Sequence, residues 1–163
     1  MKTLIVYSSE TGNSYKLAKA FWEGMTNDDH KEKRIFSIHE HPNPVHFDFV
    51  VSAFWVKDGK PDPKTMEFLP TVGEKPLYLL ATHASKVDSA LVEKAMEQAK
   101  KRAKNAKIVG TFSCQGKVFA PHMEKVQAMS KKPAWFADAP SAEGHPNKKE
   151  IEKVESIAAK IKI

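Results

Sequence analysis

One cysteine, Cys114, stands in 163 residues. That excludes an internal disulfide and a cysteine-built zinc site, and it fits a reducing compartment. No apolar run approaches the ~20 residues of a membrane-crossing helix, and the start shows no signal-peptide architecture. The sequence therefore predicts a soluble cytoplasmic protein with no membrane partner. Glycine is sparse, with seven in all, and neither GxGxxG nor GxxxxGK[ST] occurs, which removes the dinucleotide fingerprint and the nucleoside-triphosphate loop. An acidic excess is missing too: 26 Lys and Arg against 20 Asp and Glu leave a net charge of +6. Because aromatic residues are not interleaved with these cations, the charge predicts solvated faces and electrostatic docking rather than nucleic-acid binding.

What is present is a chain of one domain's length, residues 1–163, with 41% hydrophobic and 28% charged residues, enough for a single buried core. Apolar runs alternate with helical patterns. Strands are predicted over residues 3–8, 33–38, 47–53, 77–82 and 107–113, and helices over 13–25, 64–69, 87–103, 121–129 and 147–161. The first, third and fourth strands are almost continuously apolar, as expected where helices cover both faces of a parallel sheet. The alternation predicts an α/β three-layer sandwich with right-handed crossovers, its ligands at the carboxyl ends of the strands. Residues 39–46 are too few for a helical crossover, so a turn or irregular loop is expected there. Residues 131–147, with Pro133, Pro140 and Pro146, read as an irregular excursion.

The most informative stretch joins the first strand to the first helix: Ser9, Glu10, Thr11, Gly12, Asn13 and Ser14. Hydroxyl and amide donors at a helix start, together with its unsatisfied N–H groups and positive dipole end, make an anion cradle. The loop has no Lys, Arg or metal-binding acid, so it suits a phosphate monoester held by neutral donors; the alternative is that these residues only cap the helix and close the turn.

The pattern [TS]-x-T-G-N-[TS] at the end of a first strand resembles the phosphate-binding segment of flavodoxins. The resemblance implies a flavodoxin-like fold with a five-stranded parallel sheet in the order 2-1-3-4-5 and FMN held by its phosphate at Ser9–Ser14. It also assigns the later strand ends to the isoalloxazine. Ala53, Phe54, Trp55, Val56, Lys57 and Gly59 follow the third strand, with Trp55 at the position of the aromatic that stacks on the flavin; core plugging is the other reading of the Phe54–Trp55 pair. Many flavodoxins have glycine after that aromatic, its peptide free to turn over toward the flavin N5; here Val56 stands there and resists positive φ. Thr82, His83 and Ala84 follow the fourth strand, where the tyrosine that covers the other flavin face in many flavodoxins is missing. Ser113, Cys114, Gln115 and Gly116 follow the fifth, with Gly116 allowing close approach to the pyrimidine edge. Cys114 reads equally as a buried filler. The FW-x-x-x-G-x-PD and CQGK wordings are similar to a short bacterial flavodoxin variant.

His39, His41 and His46 flank prolines and are expected to bind no metal. A response-regulator receiver is excluded, because Ser8, Ser9 and Ala53 stand where it needs acids. Three functions remain open: an electron carrier between a reductase and an acceptor enzyme; a small FMN-dependent reductase with a diffusible, anionic substrate; and a binding module without redox chemistry. The lysines on the loops, Lys57, Lys60, Lys86 and Lys117, imply redox partners with acidic docking surfaces.

Overall fold

The computed structural model describes residues 1–26, 30 and 32–163. Five strands form the parallel sheet: β1 (Lys2–Tyr7), β2 (Glu32–Ser37), β3 (Phe49–Lys57), β5 (Pro76–His83) and β6 (Lys107–Gln115). They lie in the order β2-β1-β3-β5-β6, which is the expected 2-1-3-4-5 arrangement, and a sixth short strand, β4 (Lys60–Pro61), pairs antiparallel with β3. The helices are α1 (Asn13–Gly24), α2 (Pro63–Phe68), α3 (Ala90–Arg102), α4 (Ala120–Gln127) and α5 (Lys148–Lys160).

The three layers follow from strand alternation. Ile5, Val51, Ala53 and Leu80 face one apolar cluster with Leu17 and Phe21 of α1 and Val154 of α5. Leu4, Val50, Phe54 and Leu79 face the other, with Phe68 and Ala99 from α2 and α3. The short link between β2 and β3 is made by two single-turn 3₁₀ segments, Ile38–Glu40 and Pro44–His46, each opened by a side-chain cap, from Ser37 and Asn43. The excursion after α4 contains one further 3₁₀ turn, Ala139–Ala142.

Three strands run past their expected ends, and this changes the reading of the site. β3 continues to Lys57, β5 to His83 and β6 to Gln115, so Phe54, Trp55, Val56, Lys57, His83, Cys114 and Gln115 are strand residues rather than loop residues. The reason is that each added residue keeps a ladder partner: Trp55 lies beside Thr82, and His83 beside Gln115. Val56 pairs with Pro61 and Lys57 with Lys60 in a hairpin whose two turn residues, Asp58 (φ 51) and Gly59 (φ 71), are both left-handed. Asp-Gly is the residue pair that such a two-residue turn prefers. The positive-φ peptide of this segment is thus Asp58–Gly59, two residues beyond the Val56 position.

Asp62 explains the PD part of the motif. It is 1% exposed and caps α2, accepting from the Thr65 amide at 3.1 Å and the Thr65 hydroxyl at 2.8 Å. Pro63 follows at the first helical position, where its missing N–H costs nothing. The same carboxylate accepts from Ser8 Oγ at 2.8 Å, so the end of β1, where the phosphate loop begins, is fastened to the start of α2.

Candidate functional site

The carboxyl ends of β1, β3, β5 and β6 open into a cavity of about 920 Å³, toward the upper end of the roughly 300–1,000 Å³ usual for cofactor and small-molecule sites. Glu10, Thr11 and Asn13 line it from the first loop, Trp55 to Gly59 from the hairpin, Thr82 to Ser85 from the end of β5, and Gly116 and Lys117 from the end of β6. These are the four segments the sequence assigns to the site.

The first loop is shaped by its own side chains. Ser9 Oγ accepts from the Gly12 amide at 3.0 Å, and Gly12 is left-handed at φ 93, which turns the chain into α1. A Cβ there would meet nothing within 4 Å, so glycine is required by conformation rather than by space. The amides of Asn13, Ser14 and Tyr15 open α1 with no acceptor among the described residues. With the exposed Thr11 hydroxyl, they form the donor set an anion needs.

Not every predicted residue reaches the cavity. Ser14 is 1% exposed and its hydroxyl is bonded to Thr82 Oγ1 at 2.9 Å, so it fastens α1 to β5 instead of lining the cradle. Ser9 and Gly12 build the turn from behind. Ala53 and Phe54 are fully buried, one in each core cluster, while Trp55 is half-buried, joins neither cluster and lines the cavity. Strand alternation thus resolves the aromatic pair: Phe54 is the core plug and Trp55 the free platform. Cys114 belongs to the α1-side core, and burial pushes its thiol far above the ordinary range, so it is filler with no thiolate chemistry. Ser113 faces a separate shallow groove beside Asp88 and Lys153. Gln115 is a strut: its Nε2 donates to Ala84 O at 3.1 Å and Ser141 Oγ at 2.9 Å. Gly116 does allow a close approach, but within the protein. A Cβ on it would stand 2.7 Å from Asn13 Nδ2, and that amide donates to Lys117 O at 2.9 Å, joining the first and last loops of the site.

His83 is 5% exposed, and its Nδ1 lies 2.6 Å from Ser85 O. Burial holds its pKa below the ordinary value, against the opposing effects of the Ser85 carbonyl and Glu150. The imidazole is therefore neutral at pH 7, with the proton on Nδ1.

The far wall of the cavity escaped the sequence reading. It consists of Val118, Phe119, His122 and Val126 on and before α4, and Met129 and Trp135 beyond it. His122 and Trp135 stack with ring centroids 5.7 Å apart at 24°, while Phe119 and Met129 remain 58% and 48% exposed. The signal was present: large aromatics set among the turn residues of 131–147 belong on a ligand or a core, not in solvent. Among the described residues, no group of three or more His, Cys, Asp or Glu side chains could hold a metal ion, and no helix is long and apolar enough to cross a membrane.

A doubly wound sheet with a neutral phosphate cradle at its switch point and an unclaimed indole one strand away defines a mononucleotide-binding protein of the flavin type. The Flavodoxin domain family matches residues 4–159, and the chain belongs to that family. The flavodoxin-like domain-containing protein BilS of Clostridioides difficile (strain CD3) is 27% identical over 136 residues, 80% of this chain and 75% of that protein. Among solved structures, Megasphaera elsdenii flavodoxin has a TM-score of 0.61 at 16% identity, covering 98% of this chain and 99% of its own. The azoreductase AzrA has a TM-score of 0.64 at 11% identity over 99% and 100%. These structural likenesses concern the fold. FMN is the cofactor of the family, and the donor set here fits it: three free first-turn amides, the exposed Thr11 hydroxyl, and Trp55 for the ring.

Thr11→Ala should weaken FMN by about 1–3 kcal/mol, the cost of an unmade charge-assisted bond. Riboflavin, which lacks the phosphate, should be unaffected. Asn13→Ala should weaken both ligands, because it also releases Lys117. Equal losses for the two flavins on Thr11→Ala, measured by fluorescence titration, would contradict the cradle.

Proposed function

We propose that this protein is an FMN-dependent electron carrier that takes electrons from a reductase and passes them to an acceptor enzyme. Its support is a complete mononucleotide cradle beside strand ends whose own reactive groups are held back: Cys114 is buried and inert, and His83 is held below its ordinary pKa by burial and turned to Ser85. The flavin supplies the redox chemistry when bound. The chain's own residues bind it and place it: the α1 amides and Thr11 meet the phosphate, Trp55 the ring, and the Ser14–Thr82 and Asn13–Lys117 bonds keep the three loops in register.

The charge of the mouth supports a docking role. Lys57 and Lys131 line the cavity, are exposed and have no acidic partner among the described residues. Lys117, grouped with Lys57, Lys60 and Lys86 on sequence, is instead paired with Glu143 at 2.6 Å. Lys100 is likewise paired, with Glu97 at 2.9 Å. The free lysines fit an acidic partner surface or an anionic substrate. The rate of electron exchange with the partner should fall steeply with added salt, and Lys57→Glu with Lys131→Glu should lower it while FMN affinity stays nearly constant. A flat salt response in stopped-flow would contradict docking through this rim.

One observation favours a second reading, a reductase acting directly on a small molecule. The apolar wall of Phe119, Met129 and Trp135 faces the cavity from an element that takes no part in the cradle, so a flat ligand has a surface to rest on opposite Trp55. Steady NAD(P)H oxidation by the FMN-loaded protein alone would establish this reading. Oxidation that appears only with a second protein would establish the carrier.

A further inference from the structure

Residues 118–137 hang on the body of the molecule by their two ends. At one end Lys117 is held three ways: its N donates to His145 O at 3.0 Å, its O accepts from Asn13 Nδ2 at 2.9 Å, and its Nζ pairs with Glu143. At the other end Asp138 Oδ2 accepts from Lys86 N at 3.1 Å, and Ser141 Oγ accepts from Gln115 Nε2 at 2.9 Å. Between these anchors, among the described residues, every hydrogen bond of the segment ends within residues 118–139. Its ring contacts are internal too, His122 and Phe136 each with Trp135, and Lys132 over Phe136. Val126 is its one fully buried residue. A flap attached in this way can swing about Lys117 and Asp138 without breaking a hydrogen bond to the body.

What the flap gains by swinging inward is apolar burial. Phe119 and Met129 line the cavity and are exposed, so a ligand that fills the gap between them and Trp55 gives both side chains something to cover. Closure then removes apolar surface from water and gives up no polar contact. The charges at the mouth are divided between the two bodies. Of the unpaired lysines there, Lys57 stands on the β3–β4 hairpin and Lys131 on the flap. Their mutual repulsion is screened at an exposed mouth, so burial wins.

We propose that residues 118–137 form a flap that closes across the loaded cavity and, by carrying Lys131 toward Lys57, completes the cationic docking rim only when flavin is bound. The flavin-free protein then presents half a rim and competes poorly for redox partners. This regulation rests on the FMN and docking readings above. It links the two events through one moving element, because flavin favours the closed position and the closed position favours the partner.

Spin labels on Lys60→Cys in the hairpin and Ser130→Cys in the flap report the closure; both positions are exposed, and the native Cys114 is buried away from the label. Distances between the labels are measured by pulsed electron spin resonance with and without FMN, and quenching of flavin fluorescence in the same sample shows that FMN is bound. FMN should shorten the mean distance and narrow its spread, and inorganic phosphate alone should change neither. In the labelled protein carrying Phe119→Ser with Met129→Ser, which removes the surface that closure covers, FMN should still be quenched while the labels stay apart. An unchanged distance with quenched flavin overturns the flap and leaves the FMN reading intact, as does closure by phosphate alone or full closure in the double variant. Closure with a salt-independent exchange rate overturns the rim and its link to loading. Flavin that stays unquenched overturns the FMN reading itself.

Discussion

Trp55→Ala will cost roughly 150- to 1,000-fold in FMN affinity, about 3–4 kcal/mol. The estimate combines about 100 Å² of indole face removed from water at ~25 cal/mol per Å² with the ~0.5–1.5 kcal/mol that offset aromatic stacking adds. The structure makes the substitution clean. Trp55 is packed into neither core cluster, so removing it opens no cavity in the sheet, whereas its neighbour Phe54 is fully buried and its truncation would cost ~3–5 kcal/mol of fold stability. The variant should therefore melt close to the wild type without flavin and below it with flavin. Flavin that does bind should fluoresce more brightly, since a stacked indole quenches it. A Trp55→Ala protein that holds FMN as tightly, or as dimly, as the wild type would show that the ring lies elsewhere.

The other large effect is on stability. Asp62→Ala removes one carboxylate and strands three donors: Ser8 Oγ, Thr65 N and Thr65 Oγ1. Orphaned buried donors and a lost cap together cost about 2–4 kcal/mol. For a chain of this size that lowers Tm by roughly 4–16 °C. Asp62→Asn should recover part of it, because the amide oxygen can still accept from Thr65 N. Because Ser8 precedes the phosphate loop, FMN affinity should fall with the melting temperature in Asp62→Ala. An unchanged melting curve would mean that solvent replaces the carboxylate and that the β1–α2 fastening contributes nothing.

The parallel sheet and its order were legible because continuous apolar strands and amphipathic helices are written at the scale of whole elements. The cradle was legible because a turn at a helix start needs specific residues, Gly12 above all. Strand ends were harder. Phe54, Trp55 and Val56 precede a Lys-Asp-Gly-Lys turn and read as a loop, yet β4 gives them a pairing partner that is only two residues long and invisible as a strand by itself. Residue types also hid their roles. Ser9, Ser14 and Gln115 are polar residues a ligand site calls for, and only the fold shows that they are engaged within the protein, with Gly12, Thr82 and Ala84. Cys114 and Phe54 were named with the site because they adjoin it in sequence, and alternation turns both into the core. Phe119 and His122 sit beside and on α4 and Trp135 in the excursion after it; such aromatics announce a contact, but with no periodic pattern linking the two stretches the sequence does not say that the surface they meet is the strand ends.

The central claim is that the four strand ends build one FMN site whose phosphate end is the α1 cradle and whose ring platform is Trp55. Titrating FMN into the flavin-free protein, with riboflavin in parallel, tests it most directly through flavin fluorescence. The account predicts saturable one-to-one quenching by FMN and binding of riboflavin at least 10-fold weaker, the difference being the phosphate. Flavin fluorescence that stays at its free value, or equal affinity for the two flavins, would contradict it.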